Sequence, residues 1–179
     1  MEQPSLQIQT ESHWANPDEL ISIQHRNSDR IWFRLYSGSF PQKTFNKETL
    51  PNFLKDRAPV LSWDQELPNK GEYRHYTTLC TPPNDKPLPM GYHFLVASSS
   101  ENLVWKDEAV AYTPVHITKI ALSCRRSPKG GIEGFVVDAL TGAPLPDIKI
   151  TATEYKTTQR RTKEQTSDSK GFFHFPSFT

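Results

Sequence analysis

Ile132-Glu-Gly-Phe-Val-Val-Asp-Ala-Leu-Thr-Gly-Ala-Pro-Leu-Pro-Asp-Ile-Lys-Ile150 is the stretch on which the fold can be read. Phe135-Val136-Val137 is a β-rich run, and Ile148-Lys-Ile150-Thr alternates apolar with polar residues, so each end reads as a strand. Between them, Gly142 can take positive φ without Cβ strain, while Pro144 and Pro146 fix φ and remove backbone donors. No helix can run through such a segment. The reading is strand, tight turn, strand, and it carries architecture rather than chemistry.

Working outward, the same grammar recurs. Residues 6–10, 19–25, 30–36, 60–67, 73–80, 90–97 and 109–112 read as short strands separated by turn signals such as Asn16-Pro-Asp18, Pro68-Asn-Lys-Gly71 and the proline-rich loop 82–89. The clearest period-2 pattern is Arg30-Ile-Trp-Phe-Arg-Leu-Tyr36. Ile31, Phe33 and Leu35 point one way and Trp32, Arg34 and Tyr36 the other, which predicts a sheet with one buried face. Thr49–Asp56 is the one short helix, with Pro51 tolerated in its first turn. Pro114 reads as a break. Val115 and Ile117 share one parity, and Ile120, Leu122 and Cys124 have the other, so the run 115–124 bulges or passes between environments. The domain junction is placed at 114–116. Residues 125–131 form a basic turn, 156–170 a charged hairpin arm, and 172–175 a last strand. No amphipathic helix of ten residues is present. The expected fold class is all-β: two immunoglobulin-like β-sandwich domains in tandem, residues 1–114 and 115–179, the second truncated.

Composition excludes several functions. With 21 basic and 20 acidic residues in 179, the net charge is +1, so no overall field attracts nucleic acid or an anionic membrane. No apolar run approaches the roughly 20 residues that span a bilayer. Fifteen prolines against eight glycines fit a chain of short elements. Met1-Glu-Gln-Pro-Ser5 opens no signal peptide, so the chain reads as cytoplasmic or as a piece of a longer exported one, the latter preferred. Cys80 and Cys124 could make one disulfide, but nothing in their spacing demands it, and two reduced thiols are the reading adopted.

No residue set carries catalysis. The six histidines (13, 25, 75, 93, 116 and 174) form no metal-ligand spacing. Thr141-Gly142 matches the end of the Asp-Thr-Gly of aspartic proteases, but Leu140 stands where the carboxylate belongs. Ser37-Gly-Ser39 lacks the nucleophile-elbow frame. Ser167-Asp-Ser-Lys-Gly171 has one carboxylate, too few for calcium, and reads as a turn in which Asp168 binds backbone amides and Gly171 takes positive φ. Arg125-Arg126 with Lys129, and Arg160-Arg161 with Lys163, read as solvated hairpin tips rather than a nucleic-acid patch. Trp14, Trp63 and Trp105 read as core; Trp32, beside Arg34 and Tyr36, is the aromatic most open to a partner. The sequence predicts no catalytic residue, no cofactor and no metal site.

Two resemblances give these elements a context. Gly134-Phe-Val-Val-Asp-Ala-Leu-Thr-Gly-Ala-Pro-Leu-Pro-Asp-Ile-Lys-Ile150 with Thr166-Ser-Asp-Ser-Lys-Gly-Phe-Phe-His-Phe175 resembles the carboxypeptidase-regulatory-like (transthyretin-like) β-sandwich, with Ser167 in place of that module's usual threonine. Ile23-Gln-His-Arg-Asn-Ser-Asp-Arg-Ile-Trp-Phe-Arg-Leu-Tyr36, Leu67-Pro68, Glu72-Tyr-Arg-His75, Leu88-Pro-Met-Gly-Tyr-His-Phe-Leu-Val-Ala97 and residues 110–122 are similar to bacterial α2-macroglobulin-like proteins of the Bacteroidetes type. The resemblance implies an internal macroglobulin domain followed by a regulatory-like domain in an exported, periplasmic or cell-surface protease inhibitor that traps its target. The thioester motif Cys-Gly-Glu-Gln of many members is absent, since Thr-Pro-Pro follows Cys80 and Arg-Arg-Ser follows Cys124. The role implied is a non-catalytic scaffold whose partners are neighbouring domains of its parent, and proteases only through the whole protein. The alternatives are an extracellular binding module, with Trp32 and Tyr36 meeting a glycan or a protein, and an accessory domain of an exported peptidase.

Overall fold

A computed structural model describes residues 4–15, 18–38, 48–68, 74–83, 87–103, 109–128, 130–156 and 159–177. Those residues form strands with one short helix, and they divide into two compact units, Met1–Ile117 and Thr118–Thr179. The class is all-β with immunoglobulin-like sandwich architecture. Among the described residues no helix is long and apolar enough to cross a membrane.

In the first unit, β1 (Ser5–Thr10), β3 (Ile21–Arg26) and β6 (Tyr76–Cys80) make one antiparallel sheet in the order β1-β3-β6. The other sheet holds β2 (His13–Trp14), β4 (Arg30–Ser37), β5 (Leu61–Glu66), β7 (Gly91–Ser98) and β8 (Val110–Ile117), in the order β2-β8-β7-β4-β5. Alternation decides what lies between them. Ile21 and Ile23 from one sheet and Ile31, Phe33, Leu35 and Leu95 from the other are all 0% exposed. Trp63 stacks on Phe33, with ring centroids 4.8 Å apart. Trp14 is fully buried, and its indole N–H donates to Thr10 Oγ1 at 3.1 Å. Trp14 lies in the core and Trp63, partly buried, packs against it, as their apolar neighbours predict; Trp105 lies outside the described residues.

The outer face of the larger sheet departs from the simple pattern. Tyr36 was expected to share the exposure of Trp32 and is instead buried. Helix α1 (Thr49–Leu54) is the reason: Leu50 and Leu54 form a second core with Tyr36, Phe94, Val96 and Val110. Strand β7 is therefore buried on both faces, and its run from His93 to Ser98 is continuously buried.

Pro114 does not break the chain. Strand β8 runs through it to Ile117, so the first unit extends past the junction placed at 114–116. The His116 N–H donates to Ser12 O on the β2 side, so residue 114, two positions earlier, turns its nitrogen to that same edge. β2 pairs β8 only at His116 and Ile117, so no partner there needs the missing N–H. The parity change after Ile117 is a real break. Thr118 Oγ1 accepts from Ile120 N–H at 3.0 Å, closing a turn from which a new strand starts in the second unit.

The second unit pairs β9 (Ile120–Arg126), β10 (Ile132–Asp138) and β13 (Phe172–Phe175) in the order β13-β10-β9, and β11 (Lys149–Lys156) with β12 (Gln159–Thr166) as a hairpin. The charged arm 156–170 thus resolves into a full strand, β12, in register with β11 along its whole length. Val136, Phe173 and Phe175 form the core, covered by Leu145, Ile148, Ile150 and Ala152. Gly134 lies under Phe173, where a Cβ would overlap the ring and the Ser123 carbonyl.

Candidate functional site

Two turns in the second unit are built by single carboxylates. Asp138 Oδ1 accepts from the N–H groups of Leu140 (3.1 Å) and Thr141 (2.8 Å) and from the Thr141 hydroxyl (2.9 Å). Those bonds to Thr141 are the main reason its pKa lies below the usual carboxylate value. Gly142 follows at φ 71°. Asp168 Oδ1 accepts from Lys170 N–H (2.8 Å) and Phe172 N–H (2.9 Å), with Gly171 at φ 73°. Ser167, the departure from the module's threonine, is buried; its Oγ donates to Leu145 O at 2.7 Å and accepts from Ile148 N–H at 2.9 Å. Thr141-Gly142 and the 167–171 segment therefore hold turns, the second tied to strand β10 by the Val136 N–H, which donates to Gly171 O at 2.8 Å.

The histidines are dispersed in role. His25 is buried at the end of its strand, with Nε2 3.2 Å from Thr78 Oγ1, and burial lowers its pKa. His93 is buried too, its Nε2 donating to Pro89 O at 2.8 Å, and burial again lowers its pKa. The structure gathers one group that separation in sequence conceals. His13 and His116 face each other across the β2–β8 pair, ring centroids 5.6 Å apart, and Tyr92 stacks on His116 at 4.0 Å. Burial, then the neighbouring His13, push the pKa of His116 down. Among the described residues no group of three or more His, Cys, Asp or Glu is placed to hold a metal ion.

A groove lies on the surface around Trp32. This shallow groove of about 750 Å³ is lined by Asp29, Arg30, Trp32, Asp64, Glu66, Leu67 and Glu101. Arg30 bridges two of these carboxylates, with Nη1 2.8 Å from Asp64 Oδ2 and Nη2 on Glu66. Arg34 donates from Nη2 to the Glu101 carbonyl. Trp32 is half-buried there. The groove offers an aromatic face rimmed by carboxylates, with no nucleophile–base pair. Tyr36, the expected companion of Trp32 on a binding face, is in the core under α1.

Two members of the basic clusters are held by neighbours. Arg125 is paired with Glu133 at 2.9 Å, and Lys163 Nζ donates to the Pro176 and Ser177 carbonyls at 3.1 and 2.8 Å. Arg126 and Arg161 are exposed, and Lys129 and the Arg160 side chain lie outside the described residues. Both cysteines are free: Cys80 is buried in the first unit, its thiol pushed up to about 11 by burial, and Cys124 is exposed on the second. Ser39 of the Ser37-Gly-Ser39 frame is outside the described residues as well.

Against known proteins, sequence and structure part company. No protein-family model matches the chain, and no curated protein matches it by sequence. By structure it is similar to native α2-macroglobulin from Escherichia coli, in a crystal structure spanning domains NIE-MG1, with a TM-score of 0.61 at 16% identity over 98% of this chain and 88% of that one. What the two share is the fold. The D0-D1 domain of intimin aligns over 98% of this chain and 85% of its own at 14% identity, with a TM-score of 0.32.

Proposed function

We propose that this chain is a non-catalytic scaffold of two β-sandwich modules, a macroglobulin domain and a carboxypeptidase-regulatory-like domain, from an exported α2-macroglobulin-like protease inhibitor. The observation that carries the reading is the structural likeness to the E. coli α2-macroglobulin fragment across nearly all of both chains. The turn chemistry of the second unit adds support, because Asp138, Ser167 and Asp168 are engaged in shaping loops. In this role the chain supplies rigid sandwiches that pack with neighbouring modules, outside the cytoplasm, and any trapping belongs to the parent protein.

The test compares the isolated chain with its full-length parent. The chain alone should show no turnover on peptide, ester or glycoside substrates and no effect on protease activity. The parent should slow digestion of a large protein substrate by an added protease. Turnover by the chain, or a parent inert toward every protease tried, sinks the proposal. The Trp32 groove favours a second reading, a module that binds a glycan or a protein segment. Binding on a glycan array that disappears in Trp32→Ala would select it.

A further inference from the structure

We propose that His13 and His116 form a two-histidine site for one divalent metal ion of the zinc or nickel kind, on the outer face of the larger sheet of the first unit. The proposal stands on the geometry of this unit alone, independently of the macroglobulin reading. Strand register gathers the site. β2 pairs β8 in parallel with His13 opposite His116, and β8 pairs β7 antiparallel with Tyr92 opposite His116. Directly opposed residues project from the same face of a sheet, so the three side chains stand in one row across three strands. Tyr92 lies two positions before Phe94, which packs under α1, and alternation puts the row on that same outer face. It is open to solvent: His13 is exposed, Tyr92 is 40% exposed and His116 is half-buried.

Each imidazole is already oriented by a neighbour. Tyr92 and His13 come from opposite sides of β8, so the stack with Tyr92, at 4.0 Å and 12° between planes, steadies the His116 ring and leaves its other side to His13. Ser12 Oγ lies 2.9 Å from His13 Nδ1. With Nδ1 as the donor, Nε2 carries the lone pair, and a hydrogen bond at the second nitrogen is what orients a metal-bound histidine. The main chain holds the two residues together. His116 N–H donates to Ser12 O at 2.8 Å, and Trp14, next to His13, is fully buried.

The spacing fits one shared ion. The His13 and His116 ring centroids are 5.6 Å apart, with 68° between planes. An ion about 2.0–2.1 Å from an imidazole nitrogen lies about 3.2 Å from that ring's centroid, so two rings sharing it at the tetrahedral angle stand about 5.2 Å apart. The observed separation opens that angle only slightly. Imidazole nitrogens select zinc, nickel or copper over calcium and magnesium, which take oxygen ligands. Among the described residues no third His, Cys, Asp or Glu joins the pair, so water completes the shell and the ion is exchangeable. Its effect follows from where it sits. β2 pairs β8 at two positions only, and an ion shared across that pair would cross-link the chain ahead of β3 to β8.

The probes are zinc chloride and nickel chloride, titrated by calorimetry into the full 179-residue chain carrying Cys124→Ser, which removes the exposed thiol as a competing ligand. Saturable 1:1 binding is expected, and the ion should raise the melting temperature of the first unit. Nickel should broaden the imidazole proton resonances of His13 and His116 ahead of those of the exposed His75. His13→Asn and His116→Asn should each weaken binding at least tenfold and remove the rise in melting temperature. His13→Asn changes an exposed side chain, so its metal-free melting temperature should match the parent's, and it carries the test if His116→Asn fails to fold. Absence of saturable binding up to millimolar ion overturns the proposal, as does binding that His13→Asn leaves intact or broadening centred on His75.

Discussion

At the scale of single residues, two glycines separate backbone conformation from crowding. Gly142 and Gly171 sit at φ 71° and 73°, a region that costs an L-residue roughly 1–2 kcal/mol. Nothing surrounds the position a Cβ would take at Gly142, whereas at Gly171 it would overlap the Val136 carbonyl oxygen. Gly142→Ala should therefore cost about 1 kcal/mol in urea unfolding, and Gly171→Ala distinctly more; equal costs would refute the distinction. The Asp168–Gly171 turn was legible because a lone carboxylate followed by glycine has few other uses. Cysteine behaviour was less so. Cys80 is buried with its thiol raised to about 11, and Cys124 is exposed, so iodoacetamide at pH 8 should alkylate one thiol per native chain and the second only after unfolding. Rapid loss of both thiols in the native protein would contradict that placement.

At the scale of elements, β4 was read correctly on one face and wrongly on the other. Alternation in Ile31, Phe33 and Leu35 suffices to predict a buried face. Tyr36 depends on α1, and nothing near Tyr36 in the sequence announces that a helix formed by residues 49–54 will cover it. Leu50→Ala should destabilise the first unit by about 2–4 kcal/mol through the cavity beneath α1, as measured by its urea midpoint. Strand β8 shows the converse error, since proline is a sound strand breaker except where its missing donor faces an open edge. Strands β3, β7 and β8 also carry a pH dependence. His25, His93 and His116 all have pKa values lowered by burial in the folded state. The unfolded chain then takes up protons first, so their contribution is intact above pH 6.5 or so and is lost as the pH falls through the lowered folded values. The melting temperature of the first unit should drop between pH 7.5 and 5. A His25→Gln, His93→Gln, His116→Gln triple variant should flatten that drop; an unchanged slope would assign it to other groups.

At the scale of the molecule, two cores separated at Ile117–Thr118 imply two cooperative unfolding units. Phe33→Ala should lower the first transition by about 3–5 kcal/mol and leave the second in place, and Phe173→Ala should do the reverse. A single transition that both substitutions move alike would show the units to be thermodynamically one. The two cores are unequal. The first lies between two sheets, with a further cluster under α1 on the outer face of the larger sheet. The second is closed where β12 meets β13 and leaves Ile120 and Leu122 of β9 exposed.

The sequence by itself determined most of the strands, the tight turns at Asp138–Gly142 and Asp168–Gly171, the all-β class and the presence of two modules. These follow from local rules: side chains alternate with period two, glycine alone enters positive φ cheaply, and one carboxylate can cap the amides of its own turn. Only the tertiary structure decided which faces are covered. The burial of Tyr36, the His13–Tyr92–His116 stack and the acidic groove at Trp32 all join residues far apart in the chain. So does the contrast between Val136, closed in, and Leu122, left open on the same face. Burial is a property of what packs opposite, and no pattern within a strand records what lies across from it.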